Sequence, residues 1–319
     1  MDIDERYYPY SKYLKKRYGE KVYKLPVNLP VTCPNRISGA GCSFCAETGT
    51  GFEAMDSAVS VTEQLMSTRK YIEKRYHAHK FIAYFQNYTN TFMPLDIFQK
   101  YMLEASKVPD IVEIAISTRP DCIREDYLDV LNRIRETTGI QIVNIELGLQ
   151  TVNYHTLKRI SRGHTLAEYI DAVLRISRYG YDICTHVILN LPGDEMDDSI
   201  ETAKILSALP VQIVKAHSLY IAKDTRLCDD YENGTISLCE KEEYLNRLIA
   251  FLEHLNPDIA VERLFSRIPE KDAVFCNWNT SWWKLRDELL LRMEEQNSFQ
   301  GKKLNYLDGA ALRLLDNKE

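Results

Sequence analysis

The 319-residue chain sets 40 Lys and Arg against 46 Asp and Glu, a formal charge of -6 at neutral pH, and 45% of it is hydrophobic. That composition excludes a disordered chain, leaves ample material for a large core, and argues against a uniformly basic nucleic-acid binder. Eight cysteines are too few for a disulfide scaffold, and the acidic opening Met1-Asp2-Ile3-Asp4-Glu5, with no apolar run long enough to span a bilayer, implies a cytoplasmic protein without a membrane partner.

Residues 1–20 read as a helical lead-in that carries Lys12, Lys15, Lys16 and Arg17. From 21 to 257, short apolar runs alternate with stretches of helical period, the pattern of βαβ units and a parallel sheet. Strands are expected over 22–29, 81–85, 112–117, 141–147, 182–189 and 212–219. Helices are expected over 61–76, 95–105, 126–136, 166–179, 197–209 and 241–255. Residues 258–319 read as a mostly helical extension packed on the barrel, with Trp278, Trp282 and Trp283 ahead of helices over 284–295 and 308–315.

Right-handed crossovers roll such a series into either a barrel or an open doubly wound sheet. Polar or special residues follow most of the strands, as in Gln86-Asn87, Ser117-Thr118-Arg119-Pro120 and Gly148-Leu149-Gln150, and that end of a β/α barrel carries the chemistry. A basic group at Arg69, Lys70, Lys74 and Arg75 reads either as a solvated helix face or as an anion-binding surface.

Cys33, Cys42 and Cys45 follow the first expected strand, with eight and then two residues between them. Thiolates suit zinc or iron-sulfur clusters, and Gly39, Gly41 and Pro34 let the loop turn tightly around a bound group. Three ligands with no fourth at finger spacing point to an open catalytic position; the alternative is a zinc site completed from afar by Cys122 or His217. Cys228, Cys239 and Cys276 are either packed thiols or ligands of a second cluster.

Cys42-Ser43-Phe44-Cys45 resembles the Cys-x-aromatic-Cys end of the radical S-adenosylmethionine (SAM) motif. The long first gap is similar to that of the branch containing the Elongator catalytic subunit and the bacterial YhcC/YtqA-like proteins. Further segments resemble that branch in order: Thr32-Cys33-Pro34-Asn35-Arg36, Tyr84-Phe85-Gln86-Asn87-Tyr88-Thr89-Asn90-Thr91, Glu146-Leu147-Gly148-Leu149-Gln150-Thr151, Arg162-Gly163-His164-Thr165 and Leu191-Pro192-Gly193-Asp194.

The resemblance implies a partial (β/α)6 barrel, a [4Fe-4S] cluster on the three cysteines, and SAM on its open iron. It also implies that backbone at Gln86-Asn87 meets the SAM amino group, Gln150 and Ser117 the ribose, and Arg162 the carboxylate, with Phe44 and Ile188 beside the adenine. Gln150 can instead be a buried polar residue satisfied by backbone, Ser117 a turn cap and Arg162 half of a surface ion pair. Glu146 is expected either to bind a ribose hydroxyl or to pair with Arg119 or Lys215, and His164 to be a helix-start hydrogen bonder or an acid-base group.

The YtqA-like branch implies tRNA as substrate, with the wobble-uridine carboxymethylaminomethyl group converted to aminomethyl, and flavodoxin or ferredoxin as electron donor. The base would rest against Tyr84 or Tyr88. Radical chemistry on a small metabolite or peptide, and a metal-stabilised RNA-binding adaptor without catalysis, are the alternatives.

Overall fold

The computed structural model describes residues 6–46 and 54–316. Helix α1 (Tyr10–Tyr18) leads into β1 (Val22–Val27), the single-turn α2 (Pro34–Ile37) and α3 (Val61–Tyr76). The alternation continues through β2 (Lys80–Phe85), α4 (Leu95–Ser106), β3 (Ile111–Thr118), α5 (Glu125–Thr137), β4 (Ile142–Gln150), α6 (Tyr154–Arg159), α7 (Leu166–Ser177), β5 (Asp182–Ile188), α8 (Met196–Ala208) and β6 (Ile213–His217). Then come β7 (Tyr220–Ala222), α9 (Arg226–Glu232), α10 (Lys241–His254), β8 (Ala260–Arg263), β9 (Ala273–Cys276), α11 (Trp282–Glu295) and α12 (Arg313–Asp316).

Seven parallel strands in the order β1-β2-β3-β4-β5-β6-β8 form a curled partial barrel, and β7 with β9 makes a separate antiparallel pair. The seventh strand exceeds the six expected, and it is supplied by the segment read as a peripheral extension. Capping boxes begin three of the crossover helices, Ser60 with Glu63 at α3, Thr165 with Glu168 at α7 and Glu195 with Asp198 at α8. The main core lies between these helices and the outer face of the sheet, where Ile114, Ile116, Ile145 and Leu147 are fully buried. Helix α11 joins that core through Leu285, Leu289 and Met293, and Trp278 and Trp282 pack on its margin.

Alternate strand residues point inside the barrel, as the two-residue period of a strand requires. The interior is layered. At the N-terminal ends of the strands it is apolar, with Val22, Ile82, Val112, Ile213 and Ala260 closed over by Tyr10, Leu14 and Tyr18. Those three recur every four residues, so they share one face of α1, and the helix plugs the barrel floor. Tyr18 also donates to Glu113 at 2.7 Å and Tyr13 to Asp182 at 2.7 Å. Above this floor the interior becomes charged, and the C-terminal ends of the strands open into the cleft. Among the described residues, no helix is long and apolar enough to cross a membrane.

Candidate active site

The loop after β1 is folded by its own turns and by two neighbours. Cys33 precedes Pro34 at the start of α2, Gly41 takes φ +81°, and the Cys45 amide donates to the Cys42 carbonyl at 3.1 Å. Outside the loop, the Ser43 amide donates to Ile160 and the Leu227 amide to Ser43. The Asn35 side-chain amide donates to the Ser161 and Arg162 carbonyls and faces the Cys42 sulfur at 3.4 Å. Gly163 makes this approach possible: a Cβ there would lie 2.2 Å from Asn35 Oδ1, and its φ is +79°.

All three sulfurs line one end of a single cleft, and each faces a guanidinium. Arg36 lies 3.8 Å from the Cys45 sulfur, Arg119 3.7 Å from Cys33, and Arg162 3.6 Å from Cys42. Burial pushes the Cys45 thiol up, the Arg36 hydrogen bond opposes it, and the nearby Cys42 and Cys33 push the same way as burial. Three crowded thiols under three positive groups suit an anionic thiolate-ligated cluster: the guanidinium donors would stabilise sulfur charge once a bound metal displaced the thiol protons. Cys228 instead packs beside Ile160 and Ile188, Cys239 sits against the main core, and Cys276 lies in β9, so these three do not gather into one site.

Gln86, Ser117, Gln150 and Arg162 line the cleft with Phe44, and Ile188 lines its inner lobe. A bulge in β4 between Gly148 and Gln150 turns both toward the cleft, and Gln150 takes φ +79°, a conformation a non-glycine side chain rarely adopts. Gly148 has no room for a side chain, since a Cβ would lie 2.6 Å from an Arg162 nitrogen and 2.9 Å from the Gln150 amide. The Asn87 side chain, by contrast, turns away to donate to Asn28 at 2.8 Å and does not line the cleft.

His164 is buried, with Nε2 3.0 Å from the Gly148 carbonyl that Arg162 also engages. Burial and the Arg162 charge push its pKa down to about 4. It is therefore neutral at physiological pH, and it braces Arg162 and Gly148 without reaching the cleft.

Sequence reasoning anticipated one pair of the charged layer beneath, Glu146 with Lys215, but not Lys24, His186 or Glu262. Glu146 is fully enclosed and accepts from Lys24 at 2.7 Å, Lys215 at 2.7 Å and His186 at 2.9 Å. It pairs with Lys215, as one alternative held, and not with Arg119, which is engaged by Asp121. Burial alone would raise the Glu146 carboxyl, but Lys215 and Lys24 hold it well below the usual carboxylate range. Glu262 closes the network, 2.7 Å from Lys24 and 3.2 Å from Lys215. Tyr84 lines the cleft and its inner lobe, with the Lys24 and Lys215 ammonium groups 4.7 Å and 4.6 Å from its ring centre and Lys215 donating to its hydroxyl at 3.1 Å. Tyr88 lines the outer cleft, with Arg36 over its ring.

The signal for this layer was a titratable side chain inside otherwise apolar strands: Lys24, Glu146, His186 and Lys215. An inner lobe of about 100 Å3 continues from the cysteine cleft between His186, Lys215, His217 and Arg263.

The two basic groups singled out in the sequence stand elsewhere. Lys15, Lys16 and Arg17 end the helix that plugs the floor, and Arg17 pairs with Asp182. Helix α3 runs back toward the start of β2, so Lys70, Lys74 and Arg75 lie at that same end, and Arg69 is engaged by Glu73 and Asp110.

The bacterial protein YtqA of Bacillus subtilis, named as uncharacterized, is 30% identical over 304 residues, 94% of each chain. A tRNA uridine(34) acetyltransferase of Methanocaldococcus jannaschii is 24% identical over 52% of this chain, which spans 31% of that longer protein. The solved structure of archaeal Methanocaldococcus infernus Elp3 shares the fold at a TM-score of 0.67 and 18% identity, over 88% of this chain and 64% of that one. The Radical SAM superfamily model matches residues 27–206 and the Radical_SAM C-terminal domain residues 211–295, and with three cysteines at the mouth of a parallel partial barrel the chain belongs to the radical SAM superfamily.

Proposed function

We propose that the chain is a radical SAM enzyme acting on the wobble-uridine side chain of tRNA, converting carboxymethylaminomethyluridine to aminomethyluridine. Removal of a hydrogen atom from the carbon beside the carboxylate, return of one electron to the oxidised cluster and hydrolysis of the resulting imine would release the arm as glyoxylate. The observation that carries the enzymatic part is the convergence of Cys33, Cys42 and Cys45 on one cleft, each sulfur facing its own arginine. The tRNA part rests on likeness: YtqA matches nearly the whole chain, and the more distant acetyltransferase is named for uridine 34 of tRNA.

Cys33, Cys42 and Cys45 would hold the [4Fe-4S] cluster. Cluster and SAM together supply a 5′-deoxyadenosyl radical able to take a hydrogen atom from an unactivated carbon. Arg162 is suited to a carboxylate through its guanidinium fork, braced by the Gly148 carbonyl, while Gln150 and Ser117 offer hydrogen bonds to ribose hydroxyls. Phe44 and Ile188 supply apolar contacts for adenine. Glu146 lies too deep and is too fully engaged to take up a proton near neutral pH, so its role is to fix Lys24, Lys215 and His186 beneath the reacting groups.

Basic residues are also available at the cysteine end of the barrel. Lys158 and Arg159 end α6, just after β4, and Arg226 opens α9 and donates to the Gly41 carbonyl; all three are exposed. They would meet the phosphates of an RNA strand entering the cleft. A flavodoxin or ferredoxin would supply the electron. The test is anaerobic incubation of reduced, cluster-loaded enzyme and SAM with tRNA carrying carboxymethylaminomethyluridine, expecting deoxyadenosine with aminomethyluridine in the digested tRNA. SAM cleavage that no tRNA stimulates, with the nucleoside unchanged, would instead favour a small-molecule or peptide substrate.

A further inference from the structure

The inner lobe is built for an anion. Glu146 and Glu262 are both engaged by Lys24 and Lys215, so two carboxylates answer two ammonium groups and that layer is balanced. Arg263 stands outside this balance. It lines the lobe, is half-buried, and forms no ion pair among the described residues.

Its position is set by an irregularity of the sheet. Val214 is registered with Val261 but Lys215 with Arg263, so Glu262 is an extra residue in β8. A bulge of this kind lets consecutive residues face the same side, and bulges near active sites re-aim side chains. Glu262 thereby reaches the lysines, while Arg263 is turned toward the lobe beside Lys215. On β6 and β5, His217 and His186 stack at 5.5 Å and line the same lobe. Burial, Arg263 and Lys215 keep His217 neutral, leaving it as a hydrogen-bonding group that brings no opposing charge.

We infer that the inner lobe is the subsite for a carboxylate of the substrate, with Arg263 its specificity-determining residue and His217 a supporting hydrogen-bond partner. A partly desolvated guanidinium without a counter-ion is costly, and a planar carboxylate matches its fork in two parallel hydrogen bonds. Phe44, Gln150 and Ile188, proposed above for SAM, line the same lobe, so the carboxylate would take the end lined by Arg263 and His217, and a carbon next to it would lie beside the cofactor. The inference rests on the proposed function, whose substrate side chain ends in such a carboxylate.

The probe is N-benzylglycine, an aromatic ring on an aminomethyl-linked carboxymethyl arm, with benzylamine as the partner lacking the carboxylate. Calorimetry with the SAM-loaded, cluster-containing wild-type protein should show N-benzylglycine binding at least tenfold tighter than benzylamine. Arg263→Gln should abolish that preference and Arg263→Lys restore part of it, with cluster absorbance and SAM affinity unchanged. The inference is overturned if wild type shows no preference, or if R263Q keeps it. It is equally overturned if R263Q weakens SAM but not the probe, since the lobe would then serve the SAM carboxylate. Arg263-dependent binding of N-benzylglycine by an enzyme that alters no tRNA would uphold the carboxylate subsite and remove the tRNA reading.

Discussion

Lys24 on the first strand and Glu262 on the last approach to 2.7 Å, joining the two edges of the sheet that backbone hydrogen bonds leave open. The same ammonium group reaches Glu146 from the other side, so one lysine ties the seam to the centre of the barrel. Removing Glu146 leaves Lys24 and Lys215 facing each other with a single shared acid. Breaking one side of a buried ion pair costs about 3 to 5 kcal/mol. Glu146→Ala should therefore lower unfolding stability in urea by that order, and a loss below about 1 kcal/mol would mean that water already enters the network.

Lower in the barrel, Glu113 is enclosed between Tyr18 and Asn144, and burial pushes its pKa up to about 7. The folded state thus keeps a proton that the unfolded chain releases near its ordinary pKa of about 4.3. Between those two values the unfolded state binds fewer protons, so stability falls as pH rises, and above about 7 the slope from this residue vanishes. Glu113→Gln keeps the acceptor for Tyr18 without the ionisation. Relative to wild type it should gain stability steadily from about pH 4.5 to 7, reaching about 3 kcal/mol, and stay level beyond. Parallel pH-stability curves for the two proteins would contradict the burial of this carboxyl.

The long crossover helices and the first six strands were legible because their apolar spacing differs so clearly, and α3 begins and ends where its periodicity does, whereas the short α6 and α9 were not expected. The seventh strand was not legible either. Ala260–Arg263 is four residues long and half charged, with a bulge in place of alternation. Of the barrel interior, where Lys24, Glu146 and Lys215 satisfy one another, only the pairing of Glu146 with Lys215 was foreseen, because Lys24 and Glu262 meet it from the two far edges of the sheet. The cysteine triad was visible from local spacing, whereas its arginines were only partly so: Arg119 and Arg162 stand 86 and 120 residues from the sulfurs they face. Such pairings arise from strand order and leave no local trace.

Those arginines separate cluster assembly from cofactor binding. Replacing Cys33, Cys42 or Cys45 by Ala should remove iron and sulfide, since each contributes a ligand. Arg162→Ala keeps all three thiols and should retain the cluster, while SAM binding weakens by about 1.5 to 3 kcal/mol as a charge-assisted hydrogen bond disappears. Iron and sulfide analysis beside equilibrium SAM binding reads both effects, and unchanged SAM affinity would exclude Arg162 from the carboxylate.

Gly163 tests the loop geometry without touching a ligand. Alanine there meets the left-handed backbone penalty and a 2.2 Å approach to Asn35 Oδ1, so Asn35 must release the Ser161 and Arg162 carbonyls or the loop must move. Gly180 is the control, with φ +64° but nothing within 4 Å of a new Cβ. Gly180→Ala should cost about 1 kcal/mol, the conformational part alone. Gly163→Ala should cost at least about 2 kcal/mol and also speed iron loss to a chelator, because Asn35 helps position Cys42. Equal effects of the two substitutions would mean that Asn35 does not organise the cysteine loop.

If RNA enters at the cysteine end, charge reversals at the two ends of the barrel must differ. Lys158 and Arg226 are exposed beside the cleft, on α6 and α9, whereas Lys70 and Lys74 lie at the far end, separated from it by a strand of six residues, about 20 Å. All four are surface residues, but Arg226 also holds the Gly41 carbonyl of the cysteine loop, so the cluster content of each variant is measured before its binding is compared. Neutralising a phosphate contributes to affinity through counterion release, and each phosphate left without its basic partner reduces the slope of log affinity against log salt by nearly one. Lys158→Glu combined with Arg226→Glu should therefore weaken tRNA binding at low salt and flatten the salt dependence by about 2. Lys70→Glu with Lys74→Glu should change neither by a comparable amount. Gel-shift or fluorescence titrations at several salt concentrations distinguish the ends, and the reverse outcome would mean that the RNA body lies along the floor of the barrel, with the anticodon loop bent around its edge to reach the cysteines.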